Sequence, residues 1–428
     1  MKHRTALLLA LCLWSNSAFG VGEAGSHQAA TPPANSLSLL TGSYANCTNG
    51  TGSGCAKGDY RFGSDARVSS NSYTLSTVSG SFTAADVGKH GVAVDWTAGN
   101  TTSGCWSGYA CFAGVSCSFT VNSVNSSTSI TVTPVSGCGA SGIGFNANSA
   151  GYWAVYTDDT AALGNALSAA ASAGEALYVP AKYHGGILSG ASVPSNTTIQ
   201  CEPGATFYNP NMTTSGSEVL EIDGSNTSIT GCTFGGTEPT SGAWYDVNRE
   251  YDVVIAIFGG DNVSISGNTF ENIWGTYVVG TSPATNVTIS NNTFQNCAYY
   301  GVQLAECGGT SGCNVNNNKF IDCYYGSEDA GAYPAGTDRE SIQYNTMYPS
   351  ANGGSGYYRS QRSLGLFSYG SVNMDAGSAC SGGTCNADQY LDVYMENNNV
   401  SGSNSKIMQS PFGATVTNNI CNNGCSYY

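Results

Sequence analysis

The sequence predicts an all-β chain: a parallel β-helix solenoid with an N-terminal capping helix, preceded by a small disulfide-bonded β module. Three observations carry this. A template repeats along the second half of the chain, apolar and small polar residues alternate within each copy, and the stretch before the repeat is rich in cysteine, Gly, Ser and Asn.

The template is read from Ile229-Thr-Gly-Cys232-Thr-Phe234, Ile265-Ser-Gly-Asn268-Thr-Phe270, Ile289-Ser-Asn-Asn292-Thr-Phe294 and Val315-Asn-Asn-Asn318-Lys-Phe320. Degenerate copies follow at Ile342/Asn345/Met347, Met395/Asn398/Val400 and Val416/Asn419/Cys421. Asn268, Asn292, Asn318 and Asn345 are 24, 26 and 27 residues apart, a period that suits one supersecondary unit stacked on the next. Alternation such as Val287/Ile289 against Thr288/Ser290 has the period of a strand, so one face of each coil enters a core. The repeated Asn is expected where the chain turns sharply, because Asn tolerates the left-handed conformation and its amide can bond to neighbouring coils.

From the start of the chain, residues 1–20 read as a signal peptide. Lys2 and Arg4 precede the apolar run Ala6 to Trp14, and Ala18-Phe19-Gly20 offers small residues for cleavage. No later apolar segment is long enough to span a membrane. Residues 21–39 are small and polar, a flexible lead-in. Residues 40–150 hold β-type segments, including Ser72 to Phe82 and Ser118 to Pro134, with six cysteines. The solenoid with its capping helix occupies 151–428. That helix begins at Thr157-Asp158-Asp159-Thr160, whose side-chain oxygens can take up free N–H groups, and ends at Gly174. Such a helix plugs the open end of a solenoid, where bare strand edges and core would otherwise meet water.

Cleavage after Gly20 leaves sixteen of the 17 cysteines, an even number in a chain bound for an oxidising compartment. Cys307/Cys313, Cys380/Cys385 and Cys421/Cys425 read as loop clips. Cys297 and Cys323 follow Phe294 and Phe320 by the same three residues, so they should stack on adjacent coils, within disulfide range at a strand spacing of about 4.8 Å. A zinc site is disfavoured, since no histidine lies beyond His184 and no two CxxC knuckles occur.

The mature chain keeps eleven Lys and Arg against 28 acidic residues, a formal charge near −17. Nucleic acid is therefore excluded as a partner, because phosphate binding needs a basic surface. Anionic glycans are disfavoured unless Ca²⁺ or a local arginine cluster intervenes. The sequence specifies no oligomeric state: no coiled-coil heptads are present.

The segment TDDTAALGNALSAAASAGEALYVPAKYHGGILSGASVPSNTTIQCEPGATF resembles the opening of the pectate-lyase-like superfamily of right-handed parallel β-helix proteins. Phe82-Thr-Ala-Ala-Asp86-Val-Gly88-Lys89 resembles a segment found in an N-terminal module of some members. The resemblance covers roughly residues 70 to 428 and implies the right-handed fold. It implies no single chemistry, because the superfamily includes lyases, glycoside hydrolases, epimerases, tailspikes and non-catalytic members. The polygalacturonase triad of NTD, DD and GHG, the aspartate and arginine pattern of pectate lyases and the epimerase DPHD signature are not matched.

In such proteins, the resemblance implies, glycan lies along an exposed strand face. Aligning Gly275, Gly301 and Gly326 places Tyr277, Gln303 and Glu328 in one outward column, with Val302 and Leu304 inward. Trp274, Tyr299/Tyr300 and Tyr324/Tyr325 stand just before it, and aromatic faces stack on sugar rings while hydroxyls and amides orient them. Core filling is the other use of such rings. Glycoside hydrolysis needs two carboxylates, about 5–5.5 Å apart for retention or roughly 6.5–9.5 Å for inversion. Glu328 is the expected general acid, with Asp252, Glu306 or Asp329 as base or nucleophile; solvation of an acidic surface is the plainer role for each. Arg339, Arg359 and Arg362 lie in a loop-rich stretch that interrupts the repeat, where insertions build binding walls. One of them would be the base of a Ca²⁺-assisted lyase acting on a uronate glycan, or simply pair with Asp338 or Glu340. The expected activity is cleavage of a polysaccharide by a secreted protein, by hydrolysis ahead of elimination and without a resident cofactor. A non-catalytic glycan-binding or surface-attachment protein is the competing class.

Overall fold

The computed structural model describes residues 36–39, 56–68, 72–100, 113–136, 138, 151–210, 218–236, 253–273, 277–281, 283–297, 300–304, 307–308, 312–321, 323, 325–329, 340–348, 365–368, 394–396, 399–401, 406–407, 415–422 and 426–427. From residue 176 onward the strands form three parallel sheets whose members recur in rotation, one strand per sheet per coil. Asp261–Ser266, Thr269–Ile273 and Tyr277–Thr281 make one coil, and Ala284–Ser290, Thr293–Cys297 and Tyr300–Leu304 the next. Register follows the template: Ile265 pairs with Ile289, and Phe270 with Phe294 and then Phe320.

Inward residues build two internal columns. Phe207, Phe234, Phe270, Phe294 and Phe320 are all fully buried and stack at 4.7–5.5 Å between ring centroids. Beside them runs a buried amide ladder. The backbone N–H groups of Asn268, Asn292 and Asn318 donate to the side-chain Oδ1 of Asn292, Asn318 and Asn345, each at 2.9 Å. The same residues' Nδ2 groups bond to the same oxygens at 3.1 Å, and also to the carbonyls of Ile229, Ile265 and Ile289. Every hydrogen-bonding group of these amides is thereby satisfied away from water, as burial demands.

The left-handed residue stands one position before the expected one. Gly231, Gly267, Asn291, Asn317 and Tyr344 have φ between 56° and 75°, and the residue that follows, Cys232 in the first and the template Asn in the others, joins the ladder. A second set of left-handed asparagines, Asn196, Asn226, Asn262 and Asn286, opens the first strand of successive coils. Asn226 Nδ2 donates to Asn196 Oδ1 at 3.1 Å and Asn262 Nδ2 to Asn226 Oδ1 at 2.9 Å.

The N-terminal end is capped as expected. The helix α1, Thr160–Ala173, buries Ala162, Leu163, Ala166, Leu167 and Ala170, and ends on left-handed Gly174. It packs against Ala191–Val193, Ala176–Val179 and Ser36–Ser38. That last strand corrects the lead-in: Ser36–Ser38 pairs in parallel with Ala176–Tyr178 as the first strand of a solenoid sheet, and Leu39 is fully buried. Apolar Leu37 and Leu39 give an otherwise polar stretch the alternation a strand requires.

The β module is a closed six-stranded antiparallel barrel. Its last strand is Gly151–Tyr156, so pairing continues past the boundary drawn at residue 150, with a run buried at all six positions between two neighbours. Reciprocal carboxylate contacts join the barrel to the solenoid. Asp59 accepts from the N–H and hydroxyl of Thr157 at 2.7 and 2.9 Å, while Asp159 accepts from the N–H groups of Lys57 and Gly58 at 2.7 and 2.8 Å. Asp159 is the N-cap residue of α1 and its side chain makes no cap bond; Asp158 before it accepts from the N–H of Thr160. One aspartate of the Thr157-Asp158-Asp159 motif thus satisfies a free helix N–H and the other ties the barrel.

Three disulfides lie among the described residues: Cys117–Cys138 in the barrel, Cys201–Cys232 between adjacent coils, and the expected clip Cys307–Cys313. Cys297 and Cys323 are both buried in the core, one coil apart by the Phe294 to Phe320 offset. Cys380, Cys385 and Cys425 lie outside the described residues. Among the described residues no helix is long and apolar enough to cross a membrane.

Candidate functional site

The third sheet carries most of the residues expected to form a site, and its register redraws their arrangement. Tyr277 pairs with Tyr300, and Tyr300 with Tyr325. Gly280 pairs with Gln303, and Gln303 with Glu328. The expected column Tyr277/Gln303/Glu328 is therefore two rows, one of tyrosines and one of Gly280, Gln303 and Glu328. Tyr277, Tyr300 and Tyr325 follow Phe270, Phe294 and Phe320 by 7, 6 and 5 residues, so the spacing between the paired rows shortens by one residue per coil and a glycine counted from the Phe is no register mark.

The tyrosine row has the parity of Ile255, Val279 and Val302, all fully buried, and Tyr300 itself is only 6% exposed. Core filling is thus the role of Tyr300. Asp329 stands in the row of Ile257, Thr281 and Leu304, the buried row, whereas Glu328 stands in the outer row with Glu221, Ala256, Gly280 and half-buried Gln303. Asp252, Trp274, Tyr299, Glu306, Tyr324, Arg339, Arg359 and Arg362 lie outside the described residues.

A carboxylate pair that the sequence reading missed lies nearer the capped end. Glu221 pairs with Ser192 and Ala256 in the outer row, and Glu218 precedes the same strand. A Cβ on Gly190 would meet Glu218 Cβ and Oε2 at 3.3 Å and Glu221 Cβ at 3.7 Å, so both side chains flank one bare point of backbone. Burial and the neighbouring charge of Glu221 push the Glu218 carboxyl above its ordinary range. The signal was present in Glu218-Val-Leu-Glu221-Ile222, where Glu221 alternates with buried Leu220 and Ile222. Among the described residues no three His, Cys, Asp or Glu side chains gather as metal ligands.

Residues 184–338 match the family model described as "Right handed beta helix region". The fold is a right-handed parallel β-helix. Solved structures resemble the chain at low identity. The surface adhesin PfbA of Streptococcus pneumoniae is 17% identical, with a TM-score of 0.37 over 62% of this chain and 75% of that one. A tailspike protein of E. coli bacteriophage HK620, solved with a pentasaccharide, is 13% identical at a TM-score of 0.39, covering 64% and 59%. A family GH82 iota-carrageenase from A. fortis is 16% identical at a TM-score of 0.28, covering 61% and 52%. No curated protein sequence matches the chain.

Proposed function

We propose that this right-handed β-helix protein acts outside the cytosol and cleaves a polysaccharide by glycoside hydrolysis on the outer face of its third sheet. The observation that carries the reading is the Glu218/Glu221 pair over Gly190. Hydrolysis of a glycosidic bond needs one carboxyl that keeps its proton and one that has lost it. Neighbouring carboxyls in unlike environments divide those roles, because burial and a nearby negative charge both favour the protonated form of one partner. Glu218 is the general acid in this scheme and protonates the leaving oxygen; Glu221 is the base or nucleophile. Exposed Ser192, paired with Glu221, offers a hydroxyl beside the two carboxyls.

The test is incubation of the mature protein with neutral and uronic-acid polysaccharides, with and without Ca²⁺, reading reducing ends and the absorbance of unsaturated products together. Reducing ends without absorbance, abolished by E218Q or E221Q, are the expected result. Loss of turnover only in E328Q would move the acid to the position first expected. Ca²⁺-dependent absorbance would transfer the chemistry to the arginine-rich stretch of Arg339, Arg359 and Arg362, and binding without cleavage would make the chain an attachment protein.

A further inference from the structure

A second surface with the chemistry of sugar recognition lies where the barrel meets the second sheet. Two glycines keep the outer face of that sheet bare there: a Cβ on Gly186 would strike the Tyr156 ring at 2.5 Å, and one on Gly235 would strike the Tyr208 ring at 2.6 Å. Tyr208 therefore lies against the sheet, and Tyr60 of the barrel segment stacks on it at 4.2 Å with the planes 8° apart. Phe62 continues this cluster, 5.5 Å from Tyr208 and stacked on Tyr152 at 5.8 Å, yet it remains 46% exposed. An aromatic ring held rigidly by its neighbours and still open to water is a platform whose ordering costs nothing when a ligand arrives.

Along the same outer row, Gly235 pairs with Glu271 and Glu271 with exposed Gln295. Burial pushes the Glu271 carboxyl up, and burial first, with the nearby charge of Glu271, pushes the Tyr208 hydroxyl up as well. Among the described residues no hydrogen bond or ion pair is made by the Glu271 carboxyl. A half-buried carboxyl without a partner is costly, and a hydroxyl-bearing ligand would relieve that cost. Thr233, Thr269 and Thr293 form the adjoining row of hydroxyls.

We propose that the corner formed by Phe62, Tyr208 and Glu271 binds a neutral sugar ring of the polysaccharide, apart from the face where cleavage is placed. The ring's apolar face stacks on Phe62 and its hydroxyls bond to Glu271 and Gln295. A uronate is rejected, because its carboxylate would stand beside Glu271 with no cation to offset the repulsion. This inference rests on the reading of the chain as a polysaccharide-acting protein, and it adds a holding site to it.

Binding of the full mature chain to neutral and uronate oligosaccharides, measured by calorimetry, tests the corner. The expected result is binding of a neutral oligosaccharide weakened at least tenfold by F62A, retained by F62W and weakened severalfold by E271Q, with each variant's melting transition intact. Wild-type binding that neither F62A nor E271Q alters would overturn the corner and leave the proposed function standing. Preference for a uronate ligand would also overturn it, and failure of the wild type to bind any glycan would remove both.

Discussion

Asn292 and Asn318 are joined twice across adjacent coils: the backbone N–H of Asn292 donates to Asn318 Oδ1 at 2.9 Å and its Nδ2 donates to the same oxygen at 3.1 Å. Asn292 Oδ1 in turn accepts from Asn268, and its second amide proton reaches the Ile265 carbonyl. Truncation by Asn292→Ala orphans the Asn268 N–H and the Ile265 carbonyl in a dry core, each at about 1–3 kcal/mol. The expected loss is on the order of 3 kcal/mol in chemical denaturation. Asn292→Asp should be worse, because it removes both side-chain donors and adds a buried charge.

Phe294 is stacked between Phe270 and Phe320 at 4.7 and 4.9 Å and is fully buried. Phe294→Ala removes the ring from the middle of the column and leaves a cavity that neighbouring coils, tied by their ladders, cannot close. A loss of about 3–5 kcal/mol is expected. Phe294→Leu should cost clearly less, and equal losses for the two would show that the column collapses around the gap.

The contrast between these columns and the site shows what the sequence made legible. Ile289, Asn292 and Phe294 repeat because each must stack on a copy of itself, so the same physical demand writes the same residue in every coil. The fold could be read from that regularity, the capping helix from its Thr/Asp start and Gly174, and the Cys307–Cys313 clip from its short spacing. The third sheet could not be aligned the same way, because its strands follow the Phe column at a spacing that loses one residue per coil between Tyr277 and Tyr325. Glu218 and Glu221 stayed hidden because their meeting depends on the bareness of Gly190 one coil away. Asp159 was legible only as a helix start, since its partners Lys57 and Gly58 lie about a hundred residues earlier.

Asp159 makes stability depend on pH. Burial first, and the nearby charge of Asp59, raise its carboxyl from 3.8 to about 6, although two N–H groups bond to it. Between those values the folded chain keeps a proton that the unfolded chain has released, so this group's contribution to stability falls as pH rises and levels off above about 6. Asp159→Asn does not titrate. The wild type's stability relative to D159N should therefore decline by roughly 1–3 kcal/mol from pH 4 to pH 7, measured by denaturant midpoints. A difference independent of pH would mean that Asp159 titrates alike in both states.

Glu218 gives the corresponding prediction for activity. A general acid works only while protonated, so turnover should fall as pH rises through the Glu218 value, which burial and Glu221 hold above the ordinary glutamate range. The two causes can be separated. Glu221→Gln removes the charge and leaves the burial, so in the residual turnover of the polysaccharide the alkaline limb should move to lower pH. Glu218→Gln should abolish that limb and spare substrates with good leaving groups most, because they need no proton for departure. An alkaline limb unmoved in E221Q would assign it to another group and detach Glu218 from the acid role.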